Sequence, residues 1–104
     1  MSFRRYETLL PIRYNDGSPV EKAKHWLTTD EIVGRFDAAT YEPQALQGIW
    51  SHEGRRFEDQ NARIFVDVED TPENEEFFRQ LKVRLKERFR QLDIWIVSRE
   101  IRIT

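Results

Sequence analysis

Chemically versatile side chains concentrate in His52-Glu53-Gly54-Arg55-Arg56-Phe57-Glu58-Asp59, which brings together an imidazole, three carboxylates and two guanidiniums. An imidazole beside carboxylates can exchange protons as a general acid and base, and oxygen donors so close in sequence can hold a hydrated divalent cation. A solvated β-turn between two charged strands uses the same residues, because Glu-Gly flanked by polar side chains is turn chemistry. Outside this segment the candidates for acid–base or anchoring roles are Tyr41, Asp67 and Arg88. With His52 and Glu58 they could serve a cofactor-independent small-molecule enzyme whose pocket lies between sheet and helices or at a dimer interface. His25 has no ligand-type residue four positions on, and a lone helical histidine ordinarily belongs to the core or the surface.

Other chemistries are excluded by what the chain lacks. With no cysteine there is no thiol nucleophile, no disulfide, no thiolate zinc site and no iron–sulfur cluster. No phosphate loop, dinucleotide fingerprint, nucleophile elbow or metalloprotease helix occurs, so neither a cofactor nor a metal centre is expected. Asn61-Ala62-Arg63-Ile64-Phe65-Val66-Asp67-Val68 has one aromatic and no glycine where an RNA-recognition strand needs several of each, and Asp67 would repel phosphate. Nucleic acid is therefore not an expected partner. Asp16 could share a metal between subunits, but in Asn-Asp-Gly it is a turn residue.

A second charged feature is a basic stripe. Residues 67–76 contain six acids and no base, whereas residues 77–92 contain six bases and one acid. That polarity complements a helix dipole. The like-charged i,i+4 pairs Lys82/Lys86, Lys86/Arg90 and Arg84/Arg88 each cost about 0.2–0.5 kcal/mol. Arg79, Lys82, Lys86 and Arg90 form a stripe that could meet an acidic protein or an anionic ligand. Arg88 projects into the apolar side of the same helix. Either its guanidinium snorkels past the core edge, or it pairs with a carboxylate such as Asp67, Glu58 or Glu7.

These residues must be positioned by elements that the hydrophobic periodicity outlines. Phe3 to Tyr14 alternates like a strand, and Asn15-Asp16-Gly17 turns the chain. Ser18-Pro19-Val20-Glu21 predicts a helix start with Ser18 as cap, and the helix runs to about Phe36 with a possible restart at Thr28. Thr40 to Val68 predicts a hairpin turning at His52-Glu53-Gly54, its first arm irregular near Pro43 and Gly48. Thr71-Pro72 opens a second helix to about Leu92, with Phe77, Phe78, Leu81, Leu85, Phe89 and Leu92 on one face. The run from Asp93 to Ile103 supplies a closing strand.

The order βαββαβ predicts an α+β, ferredoxin-like antiparallel sheet with two helices on one face, in a single domain over residues 1–104. Apolar residues occur on both sides of two strands: Phe65 lies opposite Ile64 and Val66, and Trp95 and Val97 lie opposite Ile94 and Ile96. Two-sided apolarity implies a second cover, for which a second copy is the expected source, with Phe65, Trp95 and Val97 at the dimer interface.

The formal net charge is −2, and no apolar run reaches the roughly 18 residues of a membrane span. A cytoplasmic protein without membrane attachment is the expectation. Arg5-Tyr6-Glu7-Thr8-Leu9-Leu10-Pro11-Ile12-Arg13-Tyr14-Asn15-Asp16-Gly17, Gly48-Ile49-Trp50 and Val66-Asp67-Val68-Glu69-Asp70-Thr71-Pro72-Glu73-Asn74 resemble stretches of small uncharacterised bacterial proteins, a domain-of-unknown-function group. The resemblance covers nearly the whole chain, implies a compact α+β domain and transfers no catalytic residue. The architecture is also similar to dimeric α+β-barrel proteins, a likeness of fold that does not carry function. Composition and motifs together point to a small homodimeric binding or interaction module.

Overall fold

The computed structural model describes residues 1–104, the side chain of Ala45 excepted. Strands β1 (Phe3–Pro11), β2 (Thr40–His52), β3 (Arg55–Glu69) and β4 (Ile96–Ile101) and helices α1 (Lys22–Phe36) and α2 (Pro72–Arg88) follow the expected βαββαβ order. The four strands form an antiparallel sheet in the order β2-β3-β1-β4.

Alternation places Tyr6, Thr8 and Leu10 of β1 and Ala62, Ile64, Val66 and Val68 of β3 on one buried face. The helices cover it with Ile32 of α1 and Phe78, Leu81 and Leu85 of α2, while Phe89 just beyond α2 closes the layer. Tyr6 stacks on Phe78 with ring centroids 3.9 Å apart. Fully burying side chains of this size contributes about 1.5–3 kcal/mol each, which makes the face between sheet and helices the main source of stability.

The β2–β3 turn falls at Glu53-Gly54, where φ is +51° and +74°. Two successive left-handed residues match the right-handed twist of the flanking strands, which is why glycine stands at the second of them. The register of β2 against β3 shifts between Glu42 and Leu46, the irregularity expected near Pro43. The last β1–β3 pair is Pro11 with Asn61, so the hairpin continues past the end of β1 as a two-stranded arm.

Helix boundaries differ from the sequence expectation in three places. α1 begins at Lys22, not near Ser18, because Ser18 donates its backbone N–H to Asp16 Oδ1 at 2.9 Å and Val20 N–H donates to the Ile12 carbonyl at 2.8 Å. The turn and an extension of β1 therefore take the residues that resembled a cap. No break occurs at Thr28, whose hydroxyl donates to the Lys24 carbonyl of the preceding turn at 2.9 Å. α2 ends at Arg88, and Arg90 adopts φ +54° while Gln91 N–H donates to the Lys86 carbonyl at 2.9 Å. This left-handed exit sends Leu92 into solvent, off the apolar face to which its spacing assigned it.

Candidate functional site

The face of the sheet turned away from the helices carries an ordered layer of charge. Arg5 on β1 makes two hydrogen bonds to Asp67 on β3, at 2.7 and 2.9 Å. Arg63 on β3 reaches Glu7 at 2.5 Å and Glu42 on β2 at 2.6 Å. Between them lies Phe65, with the Arg63 and Arg5 guanidiniums 4.4 and 4.5 Å from its ring centroid. Phe65 is thus covered from within its own chain by two cations that carboxylates hold in place. The bonds from Arg63 hold the Glu7 carboxyl below its ordinary range, and those from Arg5 do the same for Asp67.

One corner of this face remains apolar. Leu9 on β1, Val97 on β4 and Trp95 just before β4 are exposed together, Trp95 at 76%. They border a cavity of about 380 Å³ whose other walls include Glu7, Asp59 and Asp93. Trp95 lies outside β4, which starts at Ile96; its carbonyl accepts the Thr8 hydroxyl at 2.9 Å, so the backbone is fastened while the indole projects outward. Asp59 accepts the Trp50 indole N–H at 2.7 Å, and Asp93 pairs with Lys82 at 3.2 Å. The Lys82 contact holds the Asp93 carboxyl below its ordinary range.

The residues that sequence put forward for catalysis do not converge, and none of them borders this cavity. His52 stands exposed at the arm tip 3.6 Å from Glu53, and Glu58 lies on the arm 3.2 Å from Arg56. Asp67 belongs to the charged sheet layer. Tyr41 is on the helix side, where its hydroxyl and His25 Nδ1 lie 2.7 Å apart. The Pro11 carbonyl can only accept, so His25 Nε2 donates to it at 2.8 Å; in the neutral ring that burial favours, Nδ1 accepts from the Tyr41 hydroxyl. Burial pushes the His25 pKa below its ordinary value and the Tyr41 pKa above its own.

Arg88 pairs with a carboxylate, but with Glu31 on α1, not with Asp67, Glu58 or Glu7. It also donates to the Thr28 hydroxyl at 2.8 Å, and Arg84 binds the other oxygen of Glu31 at 2.7 Å. The like-charged Arg84/Arg88 pair is therefore bridged by one carboxylate across the helix layer. Of the basic stripe, Arg79 is paired with Glu75 at 2.9 Å and Glu76 at 3.3 Å, and Lys82 with Asp93. Arg90 lies beyond the end of α2 with its guanidinium 4.5 Å from the Tyr14 ring centroid. Asp59 of the charged hairpin segment borders the cavity, as do Leu9 and Asp93, which no sequence motif singled out; the alternation of β1 puts Leu9 on the same side as Arg5 and Glu7.

Solved structures share this fold at low sequence identity. The divalent cation tolerance protein CutA1 of Thermus thermophilus aligns over 98% of this chain and 86% of its own, with TM-score 0.67 and 16% identity. The CutA1 protein of Ehrlichia chaffeensis aligns over 98% and 83%, with TM-score 0.64 and 6% identity. A phage SAM lyase in complex with S-methyl-5'-thioadenosine aligns over 95% and 81%, with TM-score 0.67 and 15% identity. No protein-family model matches the chain, and no curated protein matches it in sequence. These likenesses establish the ferredoxin-like fold, to which function does not automatically attach. No helix is long and apolar enough to cross a membrane.

Proposed function

We propose that the chain is a small self-associating binding module that buries the open corner of its sheet against a second copy. The observation that carries this is the joint exposure of Leu9, Trp95 and Val97 beside one cavity on a face whose charges are largely paired within the chain. Charges already paired cost less to cover than lone ones, while the apolar corner supplies the driving force. Phe65 contributes its Arg-clamped ring to the same surface. Lys86 and Arg90, which take part in no ion pair among the described residues, offer a positive surface to an acidic polypeptide or anionic ligand, to which Arg79 and Lys82 add charge shared with Glu75, Glu76 and Asp93. A bacterial domain-of-unknown-function group and a cytoplasmic setting fit this reading.

The names of the structural neighbours point to divalent cations and to a lyase acting on a sulfonium compound. Among the described residues no three His, Cys, Asp or Glu side chains gather as a metal-ligand set. The enzyme alternative would have to use the residues bordering the cavity, because Tyr41, His52, Glu58, Asp67 and Arg88 lie on different parts of the fold.

Light scattering coupled to size exclusion tests the proposal. The unaltered chain is expected at a multiple of its 12.6 kDa mass, and Trp95→Ser is expected to weaken association about tenfold or more. A 12.6 kDa species at every concentration, or a Trp95→Ser variant that associates as well as the unaltered chain, contradicts it.

A further inference from the structure

The outer face of α1 is built as an interaction surface distinct from the sheet corner. α1 turns His25, Thr28 and Ile32 into the core. The opposite side displays Lys22, Trp26 and Asp30 at a spacing of four, with Leu27 and Val33 alongside. Trp26 is 54% exposed and Leu27 50%, where a helix covering a sheet ordinarily turns polar residues outward. The Trp26 ring is held in place by Tyr41, their centroids 5.5 Å apart, so little side-chain freedom remains to be lost on docking. Among the described residues Lys22 and Asp30 take part in no ion pair, although neighbouring Lys24 and Glu31 both do.

We propose that α1 packs antiparallel against α1 of a second copy, about a two-fold axis that passes through Trp26. The charge arrangement selects this occupant. Lys22 and Asp30 stand about 6 Å before and after Trp26 along the helix axis. Reversing the helix about Trp26 therefore sets each Lys22 against the partner's Asp30, and each Asp30 against the partner's Lys22. The two indoles meet at the axis, and the small Ala23 beside them allows the helices to approach to about 8–10 Å. A two-fold contact uses the same patch on both copies, so one stripe with a cation at one end, an anion at the other and an aromatic at its centre is complementary to itself.

Charge reversal tests this in the full chain. Lys22→Asp and Asp30→Lys, made separately, each set like charges face to face twice. Each is expected to weaken the α1-mediated association about tenfold or more and to lower the mass seen by light scattering. An equimolar mixture of the two variants is expected to recover it: the new carboxylate of one meets the new ammonium of the other, and the untouched Lys22 and Asp30 meet across the second contact. A variant that merely folds poorly would not be rescued by mixing.

Repeating the mixture with Trp95→Ser in both chains separates this contact from the sheet corner, since recovery to two chains is then expected whether or not the sheet corner associates. Unchanged mass in the single variants, or no recovery on mixing, overturns the proposal.

Discussion

His25 is buried with both ring nitrogens engaged, and its protonation is therefore coupled to folding. Its Nε2 donates to the Pro11 carbonyl and its Nδ1 accepts from Tyr41, which ties α1 to the end of β1 and to β2 while the ring stays neutral. The unfolded chain protonates this imidazole near its ordinary value of 6.5, whereas burial delays protonation in the folded chain to lower pH. Between those two points the unfolded state binds more protons, so stability falls as the pH drops from about 6.5 and levels off below the folded pKa. His25→Gln keeps a donor for Pro11 and removes the titration. Urea unfolding midpoints at pH 7.5, 6.5 and 5.5 are therefore expected to fall with pH in the unaltered chain and to be flatter in the variant; equal slopes would refute the assignment. The sequence marked His25 as a residue of core or surface and no more, because its two partners come from β1 and β2. Arg88 was legible as a charge inside an apolar arc, yet its carboxylate lies on α1, a pairing that only the packing of the two helices creates.

Capping separates the two helices at the scale of the element. Thr71 precedes Pro72, and its hydroxyl accepts the Asn74 N–H at 3.2 Å, so the sequence signal and the observed cap coincide. Thr71→Ala is expected to cost about 1 kcal/mol, read as a lowered urea midpoint with an unchanged slope. An unchanged midpoint would show that the cap contributes nothing. The similar signal at Ser18 is overridden: Ser18 is held by Asp16, and α1 starts at Lys22 with no side chain capping it. Local chemistry supports both a cap and an Asx turn at Ser18, and the bridge from Arg13 to Pro19 decides between them. At the other end of α2, a stripe drawn at uniform helical spacing extends to Leu92. The left-handed residue Arg90 ends the helix first, letting Phe89 and Ile94 enter the core without Leu92.

On the scale of the whole molecule, three surfaces divide the possible contacts: the apolar sheet corner, the outer face of α1 and the basic stripe. The first two are proposed as contacts between copies of the chain, and the third as a contact with a partner of opposite charge. Lys82→Glu combined with Lys86→Glu is expected to abolish binding to labelled poly-glutamate, followed by fluorescence anisotropy at low salt. Undiminished binding would remove the stripe from any partner-binding role. Salt should weaken the interaction in the unaltered chain, because exposed charges are screened over about 10 Å at 0.1 M ionic strength.

The order of elements, the hairpin turn, the irregular first arm of that hairpin and the ferredoxin-like class were all legible in the residues, because period, turn residues and proline act over a few neighbours. The sequence also placed Phe65 and Val97 on the side of their strands away from the helices, and expected Trp95 there with them. What each of them meets there depends on the packing of the folded chain. Phe65 is enclosed by Arg5 and Arg63, brought together by the pairing of β1 with β3, while Trp95 is left outside the sheet beside Leu9. The same holds for the candidate catalytic side chains, which a linear reading could group and the fold distributes. Proximity between residues far apart in the chain follows from strand register and helix packing, which depend on the whole set of buried contacts rather than on any one segment.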